Sequence, residues 1–287
     1  MSIAQRLLPA PLRALRWRLP WLRSSGALEE AQLSTLLRAA RFTLAELRGG
    51  ELRLRTPDGL AFASMPNNFS SFALHVAGAR DPNIWRFIQA RLRPGATVVD
   101  AGANIGAYTL PIARLVGPAG RVLAFEAHPL TFGYLARNIT ANGLVQAIPL
   151  HHALGAASGV LRLRYIAANP GETHVAPEGG GGATEVPVVT LDAALAGQGI
   201  GAIDYLKIDV EGFELPVLRG ARTAIAASPG IAVQTELQEK HARRYGHAIA
   251  DIVALLTGLG LAHHIRADGS TEPVQGPIAG DVVWFRR

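Results

Sequence analysis

The chain has no cysteine among its 287 residues, which excludes disulfides and thiolate zinc sites and leaves the redox compartment open. It has no run of eighteen apolar residues, so no segment is expected to cross a bilayer as a helix. The N-terminal stretch lacks the uninterrupted apolar region of a signal peptide, and a cytoplasmic location is the expectation, peripheral to a membrane at most. Aromatic residues make up only 6% of the chain, and no basic-aromatic motif of an RNA-binding module is visible. Acids are also short: 28 Lys and Arg against 22 Asp and Glu leave a formal net charge of +6. That balance suits an anionic partner. It is carried by arginine beside abundant alanine and glycine, however, a bias that a GC-rich genome produces by itself. Nucleic acid is therefore not an expected partner. With 49% hydrophobic and 17% charged residues, the chain is globular and able to bury a substantial core.

Residues 1–25 carry Arg6, Arg13, Arg16, Arg18 and Arg23, with Trp17 and Trp21 interleaved and prolines at 9, 11 and 20 that interrupt any long helix. This reads as a packed or frayed extension, with a basic segment resting on an anionic membrane surface as the functional reading. Leu28, Leu33, Leu36, Leu37, Ala40, Leu44 and Leu47 recur at helical spacing and predict an amphipathic helix over 27–47, with simple packing of its apolar face as the default and a cap on the domain or a wall of the substrate mouth as the functional reading. Two alternating runs flank Thr56-Pro57-Asp58-Gly59 and predict a β-hairpin. Residues 66–71 read as loop. Asp81-Pro82 opens a helix, as an N-cap followed by proline at the first helical position. From there strand and helix patterns alternate to the C-terminus, which argues a doubly wound α/β sheet. The organisation is thus an N-terminal extension over 1–80 and an α/β domain over 81–287.

The domain turns on Val98 to Leu110. A short apolar run gives way to Gly102-Ala103-Asn104-Ile105-Gly106 and then to a helical pattern. Strand, glycine turn and helix start together form a cradle, where the backbone approaches a ligand closely and the first N–H groups of the helix are unpaired. The Gly-x-Gly-x-x-Gly spacing of dinucleotide folds is absent. Asp100, just before the turn, would repel a pyrophosphate but attract an ammonium or sulfonium group, and S-adenosylmethionine carries both. A second strand, Arg121 to Phe125, ends in Glu126, placed to take two ribose hydroxyls.

Val98 to Leu110, Phe125-Glu126-Ala127-His128-Pro129, the LARNITANGL run over 135–144 and Lys207-Ile208-Asp209-Val210-Glu211-Gly212-Phe213-Glu214 resemble the FkbM family of S-adenosylmethionine-dependent methyltransferases over roughly residues 93–236. The resemblance implies a Rossmann-like class I fold with a mostly parallel seven-stranded sheet. It also implies an O-methyltransferase acting on a hydroxyl of a sugar, glycolipid or secondary metabolite. Ala153, at the tip of the third strand, would then flank the adenine. The cofactor set is Asp100, Gly102, Ala103, Asn104, Gly106, Glu126, Ala127, Ala153 and Asp209. The alternatives are an RNA methyltransferase, or a non-catalytic membrane-surface protein of the same fold.

Asp100, Glu126, Asp209 and Glu236 are each predicted at a strand's carboxyl end, where open α/β sheets bind ligands. Asp209 is the first candidate for the base that takes the acceptor's proton or orients its hydroxyl, and Glu211 the second. Asp209 with Glu236 resembles the paired acids of magnesium-dependent O-methyltransferases. Magnesium demands more oxygens than two, so Mg²⁺ is possible but not favoured. His151 and His152 face opposite sides of a strand and cannot share an ion. Residues 167–184, rich in glycine, read equally as a lid or a passive loop. The oligomeric state leaves no signature.

Overall fold

Short apolar strands followed by helices leave little choice but a sheet covered on both faces. The computed structural model describes residues 10–24, 32–79, 81–176, 183–265, 271–275 and 278–286. Its strands in chain order are β1 (Leu52–Arg55), β2 (Ala61–Ser64), β3 (Thr97–Ala101), β4 (Arg121–Phe125), β5 (Ala147–Leu150), β6 (Ala153–Leu154) and β7 (Gly159–Arg164). They continue with β8 (His174–Val175), β9 (Thr184–Val189), β10 (Tyr205–Ile208), β11 (Ala232–Leu237), β12 (His263–Ile265), β13 (Thr271–Pro273) and β14 (Gly280–Phe285).

The main sheet runs β13-β12-β14-β11-β10-β3-β4-β5. β11, β10, β3, β4 and β5 are parallel, and β14 lies antiparallel between β11 and β12. All seven expected strands are present; β13 is an eighth, an edge strand too short and polar to carry a period in the sequence. Alternate residues feed two cores: Val98, Val122 and Tyr205 face one, and Val99, Leu123 and Leu206 the other. After β10 the chain forms two short helices, Glu214–Arg219 and Arg222–Ala226, separated at Gly220, where an added Cβ would fall 2.0 Å from Gly155 O. β6, β7, β8 and β9 form a smaller sheet beside the main one.

Leu22, Phe42, Leu52, Phe72 and Val76 form a cluster of their own before residue 80, and the first core crosses that boundary. Hairpin residues Leu60 and Phe62 join Leu135 and Ile139 in the first core. Asn138 accepts from Ala63 N–H at 2.7 Å and donates to Ala63 O and Ile105 O, while Asn142 pairs both ways with Ala61. Two asparagines of the LARNITANGL run therefore bind the hairpin edge to the helix Pro129–Ala141.

The basic N-terminal stretch is more ordered than its prolines suggest. Ala10–Ser24 is a helix with Pro20 inside it. Arg18 is fully buried; it donates to Glu46 at 2.7 Å, and its guanidinium lies 4.9 Å and 4.8 Å over the Phe42 and Phe72 rings. Arg6, with the rest of residues 1–9, lies outside the described residues. The helix predicted over 27–47 is Gln32–Arg48, but its leucines do not pack inward as expected. Thr35, Phe42, Thr43 and Glu46 are buried, while Leu33, Leu36, Leu37, Leu44 and Leu47 are exposed. A buried carboxylate needs partners, and Glu46 has them only with this face inward: Arg18 and the Asn67 N–H at 2.8 Å. No helix among the described residues is long and apolar enough to cross a membrane.

Candidate functional site

β3 and β10 are neighbours, so their tips bring Asp100, Gly102 and Asp209 together. Asp100 is fully buried and away from the cavity surface; it accepts from Thr109 Oγ1 at 2.6 Å and lies 3.2 Å from Lys207 Nζ. The ion pair with Lys207 and the bond from Thr109 hold this carboxylate at the base of the turn, behind the cavity lining. Lys207 also donates to Gly102 O at 2.7 Å and stands 3.6 Å from Asp209 Oδ2, tying the two strand tips into one unit.

Gly102 has φ +76, and a Cβ there would stand 2.0 Å from Asp209 O. Its N–H and that of Ala103 both donate to Phe125 O, and Asn104 N–H donates to Glu126 Oε2 at 2.9 Å. Three N–H groups of the turn are therefore engaged with β4 and its tip. Gly106, also expected at the ligand, serves packing: its Cβ would meet Leu110 and Leu135 side chains at 3.2 Å, and it does not line the cavity.

Glu126 accepts from Asn104 and His128 N–H groups, one on each carboxylate oxygen, and faces the cavity. Burial pushes its pKa up to about 7 against the opposing pull of those two N–H groups. Each oxygen keeps a second lone pair for a ligand hydroxyl. Gly102, Ala103, Asn104, Ala127, Ala153, Asp209 and Glu211 line the same cavity.

The turn after β10 holds itself open. Glu211 sits at φ +56, and Glu214 Oε1 accepts from both Val210 and Gly212 N–H groups. Burial pushes Glu214 up to about 7 as well. Glu214 thus shapes the loop, while Glu211 reaches the cavity with Oε2 3.2 Å from His241 Nδ1. Burial, with Arg244 and Lys240 nearby, holds His241 below the usual histidine range. Glu236, read with Asp209 as the weak metal pair, converges with Glu211 and His241, whose ligand atoms all lie within 4.8 Å of one another.

Two further walls complete the cavity. The helix Phe69–Ala77, in a stretch that began as loop, presents Phe69 and Ser70 to the cavity, and its N-cap Asn68 donates to Asn104 Oδ1 at 2.8 Å. Asn169 to Val175 close the other side, held by β8 pairing with β7 and by Tyr245 Oη donating to Val175 O. Residues 177–182 of the proposed lid lie outside the described residues. His152 lines the cavity while His151 stacks on Phe132, in keeping with opposite faces.

Residues 100–262 match the family model described as the methyltransferase FkbM domain. The chain is 32% identical to the methyltransferase sdnD of Sordaria araneosa over 46% of its own length and 62% of the relative's. It is 31% identical to the 31-O-demethyl-FK506 methyltransferase FkbM of Streptomyces tacrolimicus, over 59% and 74%. It is 34% identical to the hexuronic acid methyltransferase AglP of Haloferax volcanii, over 44% and 50%. The alignments with the first and third span less than two thirds of those relatives' own length.

Proposed function

The chain belongs to the FkbM methyltransferase family, and from that premise we propose that it moves a methyl group from S-adenosylmethionine to a hydroxyl oxygen of a sugar, glycolipid or secondary metabolite. The observation that carries this reading is one cavity bounded by Glu126, the Gly102–Asn104 turn and Asp209. The residues suit the cofactor: a carboxylate with spare lone pairs for ribose hydroxyls, and small side chains at Ala103, Ala127 and Ala153 that leave room for a flat base. The oxygen acceptor draws support from two relatives, one named for 31-O-demethyl-FK506 and one for hexuronic acid.

S-adenosylmethionine supplies a methyl group activated by its sulfonium. The protein's task is to hold the acceptor oxygen in line with it and to accept the hydroxyl proton. Asp209, in the cavity and fixed beside Lys207, is placed to orient that hydroxyl and take its proton on a carboxylate oxygen. Calorimetric titration is expected to show saturable S-adenosylmethionine binding and none with NAD. Labelled methyl transfer to a panel of glycans and hydroxylated metabolites then tests the acceptor. NAD binding in place of S-adenosylmethionine would overturn the assignment.

Glu126 makes cofactor affinity pH-dependent. Only its carboxylate form accepts two ribose hydroxyls on full negative oxygens, and that form is lost as pH falls through about 7. Affinity is expected to weaken by up to about fivefold between pH 7 and pH 6, as the carboxylate fraction falls from about one half to about one eleventh. The cofactor's own titration is common to both proteins, so the difference between wild type and Glu126→Gln isolates this group. Equal pH slopes in the two proteins would remove Glu126 from the ribose site.

A further inference from the structure

We propose that the outward face of the helix Gln32–Arg48 is a docking surface for an anionic lipid bilayer. At about 100° per residue, Leu33, Leu36, Leu37, Leu44 and Leu47 fall within a sector of about 100°. Their exposures are 73%, 48%, 50%, 54% and 43%, so among the described residues the stripe stays largely uncovered. Leu19, on the neighbouring helix Ala10–Ser24, is likewise 49% exposed. Five leucines in one exposed stripe exceed the scattered apolar residues normal for a monomer surface.

Charge selects the occupant. Among the described residues 10–48, the exposed charged side chains are Arg16, Arg23, Arg41 and Arg48, all cationic. The sole acid described there, Glu46, is buried against Arg18. Arg41 and Arg48 lie on one flank of the leucine stripe. A two-fold contact between copies sets the same patch against itself and would bring these arginines face to face. A bilayer rich in anionic headgroups supplies both partners at once: hydrocarbon for the leucines and phosphates for the guanidiniums. The basic helix Ala10–Ser24 does not lie free for this purpose, since Ala14, Arg18 and Leu22 are buried; it braces the leucine helix through Arg18–Glu46.

The test is co-sedimentation of the full chain with phosphatidylcholine vesicles carrying about 30% phosphatidylglycerol, with pure phosphatidylcholine as control, alongside light scattering for mass. The wild type is expected to sediment with the anionic vesicles alone and to be released by raised salt. Leu37→Gln with Leu44→Gln replaces exposed side chains and is expected to lower vesicle affinity at least about tenfold with unchanged S-adenosylmethionine binding. Arg41→Gln with Arg48→Gln provides an independent variant with the same expected direction. No sedimentation at any phosphatidylglycerol content, or leucine variants that bind as the wild type does, would overturn the proposal. So would a wild-type dimer that the leucine variants convert to monomer, because the occupant would then be a second copy.

Discussion

Gly102→Ala is expected to weaken S-adenosylmethionine binding by at least about a hundredfold, reading a misplacement of about 1 Å in a positioned site. The new Cβ would stand 2.0 Å from Asp209 O and 3.0 Å from Asp209 C, and both are backbone atoms. Neither side can yield cheaply. Gly102 N–H is bound to Phe125 O and Gly102 O to Lys207, while Asp209 N–H is bound to Ala101 O. A non-glycine residue at φ +76 adds about 1–2 kcal/mol of backbone strain. The change therefore pushes apart the cofactor turn and the acid at the tip of β10. Gly106→Ala is the control: φ is +98 there too, but the neighbours are the Leu110 and Leu135 side chains at 3.2 Å. It is expected to lower thermal stability with a much smaller loss of cofactor affinity. A Gly102→Ala protein that binds like wild type would show that the close approach of the two strand tips does not matter to the site.

Asp209→Asn is expected to lower kcat for methyl transfer by about 10²–10⁴-fold, the range of a positioned general base, with S-adenosylmethionine affinity within a few-fold of wild type. Asparagine keeps the shape and one acceptor oxygen but cannot take a proton. Lys207 stays paired with Asp100 at 3.2 Å, so the structural anchor survives the change. Single-turnover transfer to whichever acceptor the screen yields separates this from a binding defect. Glu211→Gln is the informative partner, because Glu211 shares the cavity and adjoins His241. If Asp209→Asn keeps its turnover and Glu211→Gln loses it, the proton goes to the Glu211 side instead.

Both expectations depend on details that residue patterns render unevenly. The turn over 102–106, Glu126 at the tip of β4 and the Asp209–Glu214 run all stand out in sequence, because a glycine at a strand end and an acid after it are local signals. What each does is not local. Asp100 stands out as an acid before a glycine turn, but its contacts with Thr109 and with Lys207, 107 positions later, are not local. Glu214 looks like a helix-start acid, yet its one oxygen holds two N–H groups of the preceding loop. Asn138 and Asn142 carry the family resemblance without revealing that they fasten the hairpin.

The succession of strands and helices, the acids at the carboxyl ends of parallel strands and the family are all written in local spacing: period two, period 3.6, and glycine where the chain must turn. Which way things face depends instead on residues far apart in the chain. The leucine stripe over 33–47 marks a helix from sequence alone, but a periodic pattern defines an apolar face without saying what lies against it. The buried Arg18–Glu46 pair, 28 residues apart, set the rotation of that helix and left the leucines outside. A buried charge accepts very few arrangements, while an exposed leucine is tolerated in many.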